Sequence, residues 1–253
     1  MPSKWFDLTG ACAVVTGGSK GLGRVIAGAL ARAGADVALV SRTRAELEPA
    51  AAELRTHGHR ALAVPADVTD EDSIQTMVQN VINQFGQIDI LVNNAGVGET
   101  RAVVDMDAAH WDHVMKVNLR GPVLCCKHVG PHMISRRRGK VINVGSVMAA
   151  RVARYMSPYC ASKAAIVQFT RTLALEWMRH NIQVNALCPG YFLTDMNAEF
   201  FRSERGKQFI AALPIGRLGE SHELEGAAVF LASEATSYVT GTTLYVDGGH
   251  SLA

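Results

Sequence analysis

Long apolar runs and cysteine pairs are both missing from this sequence. No apolar stretch approaches the roughly 20 residues that a membrane-spanning helix needs, and the opening segment, MPSKWFDLTG, contains no signal-peptide core. The five cysteines, at positions 12, 125, 126, 160 and 188, include no CxxC pair, so small buried side chains fit them better than a disulfide framework. We therefore expect a cytoplasmic protein with no membrane partner.

Charge of one sign is also scarce, and so are metal-binding patterns. The net charge is +2, and Arg136-Arg137-Arg138 is the only basic cluster. Because this cluster falls where a helix should end, it complements the helix dipole, although docking of an acidic partner is an alternative interpretation. A nucleic-acid-binding protein normally clusters basic residues along one face, so we predict no nucleic-acid partner. The nine histidines form no HExxH or similar ligand set, and we predict no metal site.

The amino-terminal part of the chain combines a strand, a glycine-rich turn, a helix and a second strand. Residues 11–16 form a short run that is apolar on both faces, as expected of a strand buried in a parallel sheet. The segment GGSKGLG (17–23) follows, then an alanine-rich helical stretch over 24–33 and a strand at Asp36–Ser41. This order within about thirty residues is the setting that a dinucleotide-binding turn requires.

The same alternation of strands and helices continues along the chain. Further strands are predicted at 60–65, 88–92, 141–144, 182–187 and 243–246, and helices at 44–57, 70–85, 107–136, 158–180 and 223–232, with two short helices within 195–213. A hydrophobic content of 48% supports a large core, and no linker-like stretch interrupts the pattern. The sequence therefore predicts an α/β fold, a Rossmann-type doubly wound single domain over 1–253. It has a seven-stranded parallel sheet, helices on both faces, and a substrate-covering lid at about 191–213.

A tyrosine and a lysine are spaced to meet on one face of a helix. Tyr159 and Lys163 stand four residues apart, at the start of an apolar, helix-favouring run. A free tyrosine titrates near pH ~10, and a neighbouring cation lowers that pKa and makes the phenol a usable general acid or base. Taken alone, the pair is better explained as an ordinary surface helix, so its interpretation depends on the rest of the chain.

The glycine-rich turn has the spacing GxxxGxG, at Gly17, Gly21 and Gly23. Residues without a Cβ allow tight turning and the close approach of a pyrophosphate to the N terminus of the following helix. A purely structural turn is the alternative, but the strand–turn–helix setting favours dinucleotide binding.

These motifs, in this order and spacing, resemble the short-chain dehydrogenase/reductase family along nearly the whole chain. The matching segments are TGGSKGLG at 16–23, Asp67-Val68, NNAG at 93–96, Asn118, Ser146, Tyr159–Lys163, Pro189-Gly190 and Thr194. The later segments GYFLTDMN and GRLGESHELEGAAVFLAS are most similar to the gluconate 5-dehydrogenase-like branch, and they are also compatible with 3-oxoacyl-(acyl carrier protein) reductases. The resemblance implies an oxidoreductase that interconverts a ketone or aldehyde and a secondary alcohol. It also suggests a homotetramer built partly through the helices around 107–136 and 158–180.

The resemblance further implies a role for each matching residue. Tyr159 is the expected general acid in reduction and base in oxidation, and Lys163 lowers its pKa and binds the nicotinamide ribose. Ser146 orients the carbonyl, and Asn118 holds a water that links Lys163 to solvent. The other implied cofactor contacts are Gly17, Ser19, Lys20, Gly21, Leu22 and Gly23 in the turn, Asp67, Val68, Asn94, Ala95 and Gly96 on the adenosine side, and Pro189, Gly190, Phe192 and Thr194 at the nicotinamide end. Each of these residues has a structural alternative, such as a cap for Ser146.

The end of the second strand indicates which dinucleotide is preferred. An acid there would bind the 2′-hydroxyl of the adenosine ribose and repel a 2′-phosphate. This position carries Ser41 and Arg42 with Arg44 close behind, and Lys20 adds a cation nearby, while Asp36 lies at the wrong end of the strand. A hydroxyl donor and a guanidinium suit a phosphate, so we predict NADP(H) in preference to NAD(H). The alternative is that Arg42 belongs to a solvated loop and stacks on adenine.

The predicted substrate is a small carbonyl or alcohol in a mostly apolar pocket under the lid. The candidate lining residues are Ser146, Met148, Tyr155, Tyr191 and Met196. Such a pocket fits a sugar acid poorly, so a 3-oxoacyl-(acyl carrier protein) reductase stays open as an alternative, with Arg136–Arg138 and Arg179 docking an acidic carrier. An alternative from another class is a non-catalytic dinucleotide sensor, which normally tolerates loss of the tyrosine or the lysine.

Overall fold

The computed structural model describes residues 4–56, 58–194 and 197–253. Seven strands form one parallel sheet in the order β3-β2-β1-β4-β5-β6-β7. The strands are β1 (Cys12–Thr16), β2 (Asp36–Ser41), β3 (Ala61–Pro65), β4 (Ile90–Asn93), β5 (Gly139–Val144), β6 (Ile182–Pro189) and β7 (Thr243–Val246). The predicted doubly wound α/β fold is confirmed.

Helices cover both faces of the sheet. They are α1 (Gly21–Arg32), α2 (Arg44–Thr56), α3 (Glu71–Phe85), α4 (Ala108–Met115), α5 (Gly121–Arg136), α6 (Ser157–Trp177), α7 (Ala198–Arg202), α8 (Glu204–Ala211) and α9 (Ser221–Ala232). One core cluster joins α1, α2 and α9 to the sheet, and a second joins α3, α5 and α6 to its other face. Val14 belongs to one cluster and Val15 to the other, because side chains alternate along a strand. No helix in the described part of the chain is long and apolar enough to cross a membrane.

The helix predicted over 107–136 is divided into three consecutive segments. Helix α4 ends at Met115, a π-helical turn covers Lys116–Arg120, and α5 begins at Gly121. The buried Asn118 lies in this turn. Such π turns interrupt the ordinary hydrogen-bond pattern and are frequent at functional sites. The other predicted strands and helices are present, with small differences in their bounds.

The carboxyl ends of the strands lie along one edge of the sheet, and the site residues follow them. Strands β1 and β4 are neighbours, and the winding of the chain reverses between them. In open α/β sheets, ligands bind in the crevice at such a point. The glycine-rich turn after β1 and the NNAG segment after β4 therefore meet where a ligand is expected.

Candidate active site

The turn between β1 and α1 is held closed by Asn94, in the loop after β4. The Asn94 side chain donates to the carbonyl oxygens of Thr16 at 2.9 Å and Gly17 at 3.3 Å, and Thr16 Oγ1 accepts from the Asn94 N–H at 3.0 Å. A Cβ on Gly23 would clash with the Gly17 carbonyl oxygen and with the Asn94 amide. Since Gly17 and Gly21 also have positive φ values, 66° and 55°, this tight turn depends on its glycines. The Asn94 side-chain amide therefore closes this turn, and the predicted place of Asn94 on the adenosine side stays a prediction.

The end of β2 lies beside the same turn and carries an unpaired hydroxyl. The Gly18 N–H donates to the Val40 carbonyl at 3.2 Å, which joins the turn to β2. The next residue, Ser41, has a buried Oγ with no hydrogen-bond partner in the described chain, and Arg42 is exposed. A buried donor without an acceptor is costly unless a ligand supplies one. The residues at this edge therefore fit an anionic group such as the 2′-phosphate of NADP(H).

The other cations predicted here contact acidic side chains of α2. Lys20 Nζ lies 3.4 Å from Glu46 Oε1, and Ser19 Oγ donates to Glu46 Oε2 at 3.3 Å. Arg44 Nη2 lies 3.3 Å from Glu48 Oε1. The prediction named Lys20 as a cation for the cofactor, but it did not include Glu46. Glu46 lies in the first turn of α2, beyond the end of β2 where an acid that selects the cofactor is usually found.

Asp67 lies on the adenosine side, after β3. Its Oδ1 accepts from the Thr69 N–H at 2.8 Å. Burial acts to raise the pKa of Asp67, but the hydrogen bonds from Thr69 and the nearby charges of Arg42 and Lys116 outweigh burial and lower it. The carboxylate is therefore ionised near Arg42 at neutral pH.

Tyr159, Ser146 and Lys163 meet at the carboxyl end of β5. Ser146 follows the strand, and its Oγ accepts from the Met148 N–H at 3.1 Å. Tyr159 lies in the first turn of α6, and Lys163 Nζ is 5.6 Å from the centroid of its ring. The same Nζ donates to the Val144 carbonyl at 2.8 Å. The predicted meeting of the phenol and the ammonium on one helix face is present in the structure.

Burial shifts the pKa values of both groups. Burial raises the pKa of Tyr159, and a hydrogen bond with Ser146 acts in the opposite direction. Burial lowers the pKa of Lys163 to about 8, while Cys188 acts to raise it. The net shift of the Tyr159 pKa is upward, because a buried phenolate is poorly solvated. The predicted lowering of this pKa by Lys163 stays a prediction.

The Asn118 side chain makes three hydrogen bonds inside the protein. Its Nδ2 donates to the Val97 carbonyl at 2.8 Å and to Ser162 Oγ at 3.1 Å, and its Oδ1 accepts from the Val97 N–H at 2.8 Å. Ser162 Oγ in turn donates to the Tyr159 carbonyl at 2.7 Å. Asn118 thus connects the loop after β4 to the first turn of α6. The water that Asn118 is predicted to hold stays a prediction.

The loop after β6 reaches the glycine-rich turn. Thr194 Cγ2 would lie 3.9 Å from a Cβ on Gly21, and Asn197 shapes the loop by donating to the Phe192 carbonyl at 2.8 Å and accepting from the Thr194 N–H at 2.8 Å. The Phe192 ring is buried in a core cluster, and its predicted cofactor contact stays a prediction. The remaining predicted cofactor residues lie at a strand end, follow one or lie in the first turn of α1: Leu22, Val68, Ala95, Gly96, Pro189 and Gly190.

The predicted substrate residues differ in their placement. Tyr191 packs edge-on against Phe209 and His250, at centroid distances of 4.8 Å and 5.3 Å. Met148 is buried and offers little surface to a ligand. Tyr155 is 58% exposed and has a φ of 65°, an uncommon value for a bulky side chain. Met196, like the preceding position 195 of the lid, lies outside the described residues.

Sequence reasoning missed two neighbours of Tyr159. A Cβ on Gly98 would lie 3.2 Å from the ring of Tyr159, so glycine leaves room for the phenol. Cys188, on β6, is buried, and burial raises the pKa of its thiol to about 11, against the pull of Lys163. Neither residue belongs to a recognisable motif, so the sheet topology was needed to find them.

The chemistry of this group of side chains is that of proton transfer to oxygen. A phenol, a hydroxyl and an ammonium converge beside a turn whose open backbone suits a phosphate. The described residues contain no cluster of three or more His, Cys, Asp or Glu side chains that could hold a metal ion.

Known proteins resemble this chain over nearly its full length. A family model described as enoyl-(acyl carrier protein) reductase matches residues 17–251. Gluconate 5-dehydrogenase from Gluconobacter oxydans (strain 621H) is 39% identical over 249 residues, which are 98% of this chain and 97% of that protein. A 3-oxoacyl-[acyl-carrier-protein] reductase from Staphylococcus aureus (strain Mu50 / ATCC 700699) is 35% identical over 238 residues, which are 94% of this chain and 96% of that protein.

A solved structure supports the same assignment. The crystal structure of a gluconate 5-dehydrogenase from Burkholderia cenocepacia J2315, in complex with NADP and tartrate, matches with a TM-score of 0.94 at 36% identity and covers 98% of each chain. The resemblance predicted from the motifs is confirmed in both branches. The chain therefore belongs to the short-chain dehydrogenase/reductase family and is an oxidoreductase.

Proposed function

We propose that this enzyme interconverts a small ketone and its secondary alcohol with NADP(H), using Tyr159 as the general acid and base. The observation that carries the proposal is the convergence of Tyr159, Ser146 and Lys163 at the carboxyl end of β5, beside the glycine-rich turn. Bound in this crevice, the nicotinamide supplies or accepts the hydride.

The three side chains divide the remaining work. Tyr159 donates its phenolic proton to the carbonyl oxygen in reduction and accepts it back in oxidation. Its raised pKa keeps the phenol protonated at neutral pH, which is the form that reduction needs. The Ser146 hydroxyl donates a hydrogen bond that orients the same oxygen. The Lys163 ammonium binds ribose hydroxyls and favours the phenolate as it forms.

The choice of NADP(H) over NAD(H) rests on the end of β2. Ser41 Oγ is buried and unpaired in the described chain, Arg42 is exposed, and a phosphate would satisfy both. The relative from Burkholderia cenocepacia was solved with NADP. Binding constants for NADPH and NADH, measured by fluorescence titration, test this assignment; tighter binding of NADH would overturn it.

Turnover is tested with both reduced cofactors and a panel of small ketones, keto sugar acids and an acyl carrier substrate. We expect NADPH-dependent reduction of at least one small substrate. Tight NADPH binding with no turnover of any carbonyl would favour a dinucleotide sensor instead.

A carrier-protein substrate receives less support from the structure. The proposed docking arginines lie at the amino end of β5, opposite Tyr159. Arg136 pairs with Asp89 at 2.8 Å, Arg137 donates to the Arg179 carbonyl at 2.8 Å, and Arg138 lies 4.0 Å from Glu234. Their position at the helix end agrees with the dipole interpretation, and a carrier bound there would lie at the end of β5 opposite to Tyr159.

We also propose that the segment 191–213 covers the substrate. It carries Tyr191 and the aromatic residues of α7 and α8, and these rings pack against one another. Phe200 is 47% exposed, so the cluster has apolar surface left for a ligand.

A further inference from the structure

We propose that Glu46 competes with the 2′-phosphate of NADP(H) for Ser19 and Lys20, and thereby limits the preference of this enzyme for NADP(H) over NAD(H). The inference rests on the proposed dinucleotide function. It adds a specificity-determining residue that lies outside the strand-end position where an acid normally selects the cofactor.

The contacts of Glu46 occupy two donors of the glycine-rich turn. Glu46 lies in the first turn of α2, and its two carboxylate oxygens are divided between Ser19 Oγ at 3.3 Å and Lys20 Nζ at 3.4 Å. Ser19 is only 7% exposed, whereas the Lys20 side chain is 69% exposed. An internal carboxylate thus holds the groups that an incoming phosphate would use.

The donors at the end of β2, in contrast, are not held by an internal carboxylate. Ser41 Oγ is buried without a partner in the described chain, and Arg42 is exposed to solvent. A phosphate bound by Ser41 and Arg42 would then lie near the carboxyl group of Glu46. The carboxylate must either release Lys20 and Ser19 to the phosphate or remain and repel it.

The two cofactors should therefore respond differently to Glu46. NADH has no 2′-phosphate, and its ribose 2′-hydroxyl can donate to a carboxylate. NADPH brings a dianionic group that gains from removal of a nearby negative charge. In Glu46→Gln we expect NADPH to bind about three- to tenfold more tightly, a size typical of one partly exposed charge interaction. Binding of NADH should stay equal or weaken.

The experiment measures binding rather than turnover. Dissociation constants for NADPH and NADH are obtained by fluorescence titration at two ionic strengths, and calorimetry with adenosine 2′,5′-bisphosphate isolates the phosphate contact. The matched control is Glu53→Gln, which removes the same charge from α2 but contacts Arg24 on α1 instead of the turn. Thermal unfolding checks that both variants fold.

The outcomes separate this inference from the proposed function. A gain in affinity for NADPH and for the bisphosphate in Glu46→Gln, larger than in Glu53→Gln and smaller at high salt, supports competition. Equal effects in the two variants would mean that NADPH affinity responds only to the overall charge of the protein. Weaker NADPH binding in Glu46→Gln would show that the carboxylate organises the turn. Either result overturns the inference. Failure of the wild type to bind either cofactor would instead contradict the proposed function.

Discussion

Tyr159 is half-buried against Ser146, Lys163 and Gly98, and its hydroxyl is the group that we propose as the proton donor to a carbonyl oxygen. The Tyr159→Phe variant removes this hydroxyl and keeps the ring. We expect kcat to fall by about 10²–10⁴, the usual contribution of a general acid, while the Kd for NADPH stays nearly unchanged. Steady-state kinetics and titration check both values. The fully exposed Tyr238 provides the control, Tyr238→Phe; undiminished turnover in Tyr159→Phe would exclude its catalytic role.

Lys163 gives stability a dependence on pH. Burial lowers its pKa from 10.5 to about 8, so between these values the unfolded chain binds a proton that the folded chain lacks, and stability rises with pH. Below pH 8 the buried charge costs on the order of 3 kcal/mol at most, and the hydrogen bond to the Val144 carbonyl offsets part of that cost. Lys163→Met should therefore be more stable than the wild type at pH 7, by about 1–3 kcal/mol.

Urea unfolding at a series of pH values tests this expectation. The advantage of Lys163→Met should shrink as the pH rises from about 8 to above 10.5, because the free energy needed to neutralise the wild-type lysine on folding falls to zero over this range. Lys207, on α8, has a 63% exposed side chain, and Lys207→Met should show no such trend. A difference between Lys163→Met and wild type that is the same at every pH would contradict the assigned burial.

At the scale of secondary-structure elements, the glycine-rich turn tolerates a side chain at Gly23 poorly. In Gly23→Ala the new methyl would meet the Gly17 carbonyl oxygen and the Asn94 amide, so the bonds that close the turn must give way. We expect a loss of about 1–3 kcal/mol in stability, measured by urea unfolding, and much weaker NADPH binding. Gly226, in α9, has open space around it, so Gly226→Ala should be neutral or stabilising by up to ~1 kcal/mol. Normal NADPH affinity in Gly23→Ala would show that the turn does not bind the dinucleotide.

The lid segment permits a second prediction at this scale. Helices α7 and α8 are short, and Phe200 exposes much of its ring, so a ligand should add contacts that they lack. We expect amide hydrogen exchange in 197–213 to slow when NADPH and a substrate analogue are both bound. Exchange in α9, behind the sheet, serves as the internal reference. Equal protection with and without ligand would show that the segment does not close over a ligand.

At the scale of the whole molecule, apolar side chains are exposed on neighbouring helices. Leu175 on α6 is 70% exposed, Met178 just after α6 is 44% exposed, and Trp111 on α4 is 38% exposed. Isolated exposed residues are ordinary, but α4 and α6 pack together, and this face is where the sequence predicts subunit contacts. A homotetramer remains a prediction.

Light scattering after size exclusion tests the association. The wild type should have a mass above that of one chain, and Leu175→Glu should lower it by placing a charge in an apolar interface. Ala52 is exposed on α2, at the other face of the sheet, so Ala52→Glu should leave the mass unchanged. A monomeric wild type would refute the predicted assembly.

The sequence by itself determined the strands, most of the helices and the meeting of Tyr159 with Lys163. These features are local: a buried parallel strand is a short apolar run, and i, i+4 spacing brings two side chains to one helix face. The order of motifs was sufficient for the family as well, because each motif follows a strand whose carboxyl end lies at the same edge.

Only the tertiary structure decided how the site residues are used. Asn94 closes a turn 78 positions earlier in the chain, and Glu46 meets Lys20 across 26 positions; no local pattern specifies such contacts. The upward pKa shift of Tyr159 also depends on contacts that are distant in the sequence. Burial raises this pKa against the hydrogen bond from Ser146, and the extent of burial depends on the packing of distant segments. Spacing along the chain shows which groups can meet, whereas solvent exclusion around them sets their charge.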